Sequence, residues 1–312
     1  MSQKNNQITY QEAKAQINTL GISMFMYIIV LIAIRYGLIF INLIVDTSQY
    51  PVMIVSFAAM GLYILSYFLV SFIPFKASAI ILELDTKDYN KKRKISITKL
   101  LAFICIGIGI ELIATSVISI FGLKSLSIPI LNTALMDYRT YDRIAYNILY
   151  IIFILIIKPY IDEYVFRGII QRQLGHYSRS FGVVASALLY ALAQPTINEA
   201  VPCFFLGFYL SLISIKYHSI KPTIAIVRGI VLFYLVSIFI PKDFFFVIIA
   251  LVIIVYIVSA LSLFNNVLRI PFITIKAFNA QLWTMFLSSS SIIICIIIQI
   301  VNFIIYLIKE VH

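Results

Sequence analysis

Unbroken apolar stretches of about 20 residues, the length that spans a bilayer's hydrocarbon core, recur along this chain and restrict its fold more than any other feature. They fall at roughly 21–45, 52–75, 99–121, 145–174, 200–216, 222–241, 243–264 and 282–309, with a shorter one at 179–194. Such runs bury their surface in lipid, where every backbone N–H and C=O must find its partner within the protein. Only helices and closed barrels meet that demand. The runs are continuous and do not alternate with polar residues, which selects helices. The expected fold is therefore all-α, a polytopic transmembrane bundle of about eight or nine membrane helices, with the 179–194 segment as an inner helix too short to cross. Composition agrees: 62% of the 312 residues are hydrophobic and only 12% charged, against about 25% charged in soluble domains.

The net charge of +11 comes from 24 Lys and Arg against 13 Asp and Glu. These bases gather in the short connections, a pattern set by membrane orientation and anionic headgroups and not by nucleic acid. Lys87, Lys91, Lys92, Arg93 and Lys94 form the densest basic run, which assigns the connection after the second span to the cytoplasm. Arg172 and Arg179, then Lys216 and Lys221, mark two further cytoplasmic connections; the stretch 46–50 lacks Lys and Arg, and it and the loop at 122–144 fall outside. The N-terminus is thus expected in the cytoplasm, with polar residues 1–20 as an arm, 21–264 as the bundle and 265–312 as a loop and last membrane helix. The first apolar run is too long for a cleavable signal peptide. Abundant Ile, Lys and Asn suggest a low-GC bacterium, hence its plasma membrane. Cys105, Cys203 and Cys295 all lie in apolar runs without metal-ligand spacing, and are expected to be small buried hydrophobes.

An ionisable group inside a bilayer costs roughly 2.5–3.5 kcal/mol on insertion scales and so marks a site. Arg35, Glu111, Asp162, Glu163, Arg167 and Arg228 all fall in apolar runs. Arg35 has two readings, snorkelling to an interface or pairing with a carboxylate such as Glu111. The sharpest segment runs from Lys158 to Gly168, Lys-Pro-Tyr-Ile-Asp-Glu-Tyr-Val-Phe-Arg-Gly. Glu163 and Arg167 share one helix face with the acid N-terminal, the favoured order for an ion pair, and Asp162 is turned away by about 100°. Pro159 removes a backbone donor one turn earlier. Two readings stand: a kinked helix presenting adjacent carboxylates to a water or metal, or a paired charge cluster that sets helix register. A run of four serines at 288–291 has no base near it in sequence and is expected to bond helix carbonyls.

With Pro159, Asp162, Glu163, Phe166, Arg167 and Gly168 in place, the segment resembles the P-x-x-E-E-x-x-x-R signature of the CPBP family, the CAAX proteases and bacteriocin-processing membrane proteins also called Abi. The order of later elements is similar. Tyr190 to Gln194 stands where the family has F-x-x-x-H, a span with Gly207 follows, and Pro222 to Leu232 stands where the family has its second His and an Asn. The resemblance covers roughly 95–245. It implies a bundle of about eight membrane helices enclosing a site open toward the cytoplasmic half. In the family the first Glu activates a water, assisted by the two His and the Asn.

This chain departs from that set. Asp162 replaces the first Glu with a shorter carboxylate, Gln194 replaces the first His, and Val227 or Arg228 falls at the second. The Asn position holds Val231 or Leu232. A glutamine binds water but takes no proton near neutral pH. His176, His218 and His312 all lie near connections or the C-terminus, and Asp162 with Glu163 falls short of a zinc ligand set, so no divalent metal or other cofactor is expected. Arg228 either pairs with Asp162, giving a second internal ion pair beside Glu163–Arg167, or snorkels. The candidate site residues are Asp162, Glu163, Arg167, Gln194 and Arg228. Three functions are open: a protease-like protein that binds a membrane or cell-envelope partner without catalysis, an active intramembrane endopeptidase acting on a membrane-bound peptide, and a transporter or immunity component. Expected partners are membrane lipids and a membrane-embedded peptide or cell-envelope protein, with no nucleic acid.

Overall fold

The computed structural model describes residues 10–44, 51–84, 95–120, 144–240, 242–264 and 280–311. Its elements in chain order are α1 (Tyr10–Ile44), α2 (Val52–Ile81), α3 (Ile97–Ile120), a long compound helix α4, then α5 (Arg179–Leu192), α6 (Ile197–Tyr217), α7 (Lys221–Phe239), α8 (Phe245–Phe264), α9 (Ala280–Leu287) and α10 (Ser290–Val311). Among the described residues six helices are long and apolar enough to cross a membrane, namely α1, α2, α3, α6, α7 and α10. The protein is an all-α membrane bundle. The short run at 179–194 is α5, buried along most of its length.

Two element boundaries differ from those of the apolar runs. The polar arm folds from Tyr10 onward as the first turns of α1, because Ala13, Ile17 and Leu20 give it an apolar stripe that packs into the core. The last span breaks in two at Ser288 and Ser289. Asn18 of α1 explains the break: its side-chain oxygen accepts from the hydroxyls of Ser289, Ser290 and Ser291 and from the backbone N–H of Ser291. The serines thus cap the start of α10 through a neighbouring helix. The basic run from Lys87 to Lys94, the loop at 122–144 up to residue 143, and residues 265–279 lie outside the described residues, as does the side chain of Arg35.

Helix α4 explains most of the bundle. It is α-helical over Ile144–Ile152, widens to a π turn at Phe153–Ile157, returns to α over Lys158–Glu163, widens again over Tyr164–Ile170 and ends as α over Gln171–Tyr177. Pro159, with no N–H to give, sits just after the first π turn. A wide turn of this kind inside a helix accommodates a missing or displaced ladder bond. The expected disturbance at Pro159 is therefore a π turn within a continuous helix. Around α4 stand α2, α5 and α7, and Arg167 and Gln171 of α4 donate to carbonyls of α6, while α3 packs against α6, α7 and α8, and α1 against α2 and α10. The α5–α6 connection is tight: Thr196 caps α6 by accepting from the Glu199 N–H at 3.3 Å, with Glu at the third helical position as a capping box requires.

Candidate functional site

Every charged side chain of the Lys158–Gly168 segment turns into the bundle. Asp162 is 5% exposed and Glu163 and Arg167 are both 0% exposed. Glu163 and Arg167 form the ion pair expected from their spacing, with Arg167 Nη1 3.0 Å from Glu163 Oε1. The guanidinium makes two further contacts. Its Nη2 donates to the Gly207 carbonyl of α6 at 3.1 Å, and its centre lies 4.5 Å from the Tyr190 ring of α5, a cation–π geometry. Thr223 of α7 lies beside the Glu163 carboxylate. One arginine on α4 thereby ties α5 and α6 to the carboxylate on its own face.

Gly207 is required for that geometry. A Cβ there would stand 3.0 Å from the Tyr190 ring and 3.2 Å from Arg167 Nη2. Gly207→Val is expected to force one of these side chains from its place and to cost about 1–3 kcal/mol, with a smaller loss for Gly207→Ala. Thermal stability of the purified variants in detergent checks the order; equal stability of the valine variant and the native chain would contradict it.

Asp162 has a different set of partners from the one its sequence suggests. Lys158, four residues back, donates from Nζ to Oδ2 at 2.6 Å, and the Tyr67 hydroxyl of α2 makes a very short hydrogen bond to Oδ1. Tyr67 in turn accepts from Tyr27 of α1 at 3.4 Å. Both carboxylate oxygens are engaged. Arg228, which the sequence left either to pair with Asp162 or to snorkel, donates from Nη2 to the Ile156 carbonyl at 3.4 Å. The cause is local: Lys158 is on the same helix face as Asp162 one turn away, so its ammonium reaches the carboxylate within α4 itself.

Gln194 also departs from its expected place. Its Nε2 donates to the Tyr190 carbonyl of its own helix at 3.0 Å, so the amide closes the end of α5. The residue through which α5 reaches the charge cluster is Tyr190, one turn earlier. The structure therefore brings together Asp162, Glu163 and Arg167 with Lys158, Tyr67 and Tyr190, and leaves Gln194 and Arg228 on backbone carbonyls. Of the missed residues, Lys158 carried a signal in its i,i+4 spacing to Asp162; Tyr67 carried none, being a tyrosine in an apolar helix far off in sequence. Glu111 is fully buried on α3 beside the Tyr234 hydroxyl of α7.

Among the described residues no three His, Cys, Asp or Glu side chains gather in a metal-binding group. Asp162 holds an ammonium and a phenol, and Glu163 faces a guanidinium. These donors do not fit a divalent cation, which needs carboxylate or imidazole lone pairs left open. The two histidines among the described residues stand at helix ends: His176 in the last turn of α4, and His218 terminating α6 in the left-handed region at φ 46°. Chemically, the arrangement pairs each carboxylate of the segment with a cation of its own helix and joins α4 to α2, α5 and α6.

Residues 144–227 match the family model described as type II CAAX prenyl endopeptidase Rce1-like. No curated protein and no solved structure matches the chain. The matched stretch begins with α4 and runs into α7, so it contains the whole Asp162–Arg167 motif together with the Tyr190 and Gly207 that receive its guanidinium. The match covers 84 of the 312 residues, and through that segment this membrane protein is similar to the CPBP family of CAAX-protease-like proteins.

Proposed function

We propose that this chain has given up proteolysis and works by binding a membrane-embedded peptide or a cell-envelope protein. The observation that supports it best is the engagement of both Asp162 oxygens, by Lys158 and by Tyr67. A general base must offer a lone pair to the water it activates, and a carboxylate neutralised by an ammonium at 2.6 Å offers little. Gln194 is no substitute base, since an amide takes no proton near neutral pH. The reading puts the protein in the plasma membrane of a bacterium with its N-terminus inside, supported by the basic run from Lys87 to Lys94 and the short connection without Lys or Arg before α2.

The test uses the full chain in lipid nanodiscs with prenylated CAAX-type peptides and a library of apolar peptides. No new peptide terminus is expected, and Asp162→Asn is expected to retain whatever partner the native chain captures from its own membrane. Cleavage by the native chain that disappears in Asp162→Ala would overturn the reading in favour of an active intramembrane endopeptidase.

A further inference from the structure

Helix α10 lies outside the family-matched segment and is built in two parts. Its beginning is pinned to α1: Ser291 donates to the Asn18 side chain at 2.8 Å and to the Asn18 carbonyl at 3.1 Å, and its side chain fills the space that a Cβ on Gly21 of α1 would occupy. About two to three turns further along, its inner face carries two amides, Gln299 and Asn302, three residues apart in an otherwise apolar helix. Both are buried. Gln299 Nε2 donates to the Gln194 carbonyl in a very short hydrogen bond, and Asn302 Nδ2 donates to the Pro195 carbonyl at 2.9 Å. Phe303 packs beside them on Ala191 and Ala200. The opposite face, with Ile297, Ile300, Val301, Ile304 and Ile305, is exposed and suits lipid.

These contacts hold one place, the turn joining α5 to α6. That turn is also where Gln194 closes α5 by donating to the Tyr190 carbonyl, and the Tyr190 ring covers Arg167. A continuous set of contacts thus runs from α10 through the turn to the charge cluster, although α10 supplies no group to the cluster itself. Amide-to-carbonyl bonds between membrane helices are individually modest, and the pinned start at Asn18 supplies a pivot.

We propose that α10 is a releasable strap: Gln299 and Asn302 hold the α5–α6 turn closed against water, and withdrawal of the far end of α10 about its Asn18 pivot opens that turn. In the closed state Tyr190 is fixed over Arg167; in the open state the Gln194 and Pro195 carbonyls become acceptors for another helix's donors. The strap operates on the turn whether or not the chain cleaves peptides.

The experiment reads water access with a thiol. The full chain, with Cys105, Cys203 and Cys295 replaced by Ala, carries either Ala193→Cys in the turn or Ala185→Cys as a control in the buried middle of α5, and is labelled with N-ethylmaleimide in nanodiscs. Adding Gln299→Leu and Asn302→Leu is expected to raise the labelling rate at position 193 by tenfold or more while leaving position 185 unchanged. Asn302→Leu alone is expected to give a smaller rise at 193 only. An unchanged rate at 193 overturns the strap. So does a rise at both positions together, which would make the two amides general supports of the fold.

Discussion

Replacing Arg167 with Met is expected to destabilise the folded protein by about 3–5 kcal/mol, the usual cost of removing one partner from a buried ion pair. The cost arises from what remains. Glu163 is 0% exposed, and without the guanidinium its carboxylate has no cation beside it on its own face. The Gly207 carbonyl loses its donor and the Tyr190 ring loses the cation above it. Neutralising the acid as well should recover much of the loss, so the double variant Glu163→Gln, Arg167→Met is expected to be more stable than Arg167→Met alone. Unfolding by SDS in mixed micelles ranks the three proteins. A double variant no better than the single one would mean that Arg167 acts through packing and its other bonds, and that the pair with Glu163 contributes nothing.

Gly182→Ala should also destabilise the protein, for an unrelated reason. The end of α4 and the start of α5 meet backbone to backbone, and a Cβ on Gly182 would lie 2.5 Å from Gly175 N, 2.6 Å from Gly175 Cα and 2.8 Å from the Gln171 carbonyl. No side chain rotates away to relieve such contacts. The two helices must separate, at a cost of about 1–3 kcal/mol or more. Separation also carries Tyr190, about two turns further along α5, off its position over Arg167. Gly175→Ala makes the paired control. Its Cβ meets nothing within 4 Å, and alanine is the better helix former by roughly 1 kcal/mol, so that variant should equal or exceed the native chain in stability. Thermal denaturation in detergent distinguishes the two; equal behaviour of both alanine variants would refute the backbone contact.

Taken together, the buried charges of α4 join it to the helices around it. Glu163–Arg167 binds α4 to α5 and α6, and Lys158–Asp162–Tyr67 binds α4 to α2. Each carboxylate has a cation supplied by the same helix one turn away. Such local pairing neutralises the membrane cost of a charge before any neighbouring helix is in place, which makes the cluster compatible with insertion as well as with the folded state.

What could be learned from the order of residues follows from interactions that are local along a helix. Apolar runs of membrane-spanning length give all-α architecture because lipid forces backbone groups to pair within the segment. The Glu163–Arg167 pair follows from 3.6 residues per turn, and Lys158 and Asp162 were legible by the same spacing although Arg228 competed for the assignment. The tertiary structure alone decided the rest. Which tyrosine meets Asp162, where Arg228 finds its acceptor, that Tyr190 and not Gln194 faces the cluster, and that α10 bonds the α5–α6 turn all depend on the rotation and depth of one helix against another. In lipid these are set by close packing at residues such as Gly182 and Gly207 and by a few buried polar bonds. Hydrophobicity cannot encode them, because an apolar side chain is as well accommodated by lipid as by a neighbouring helix.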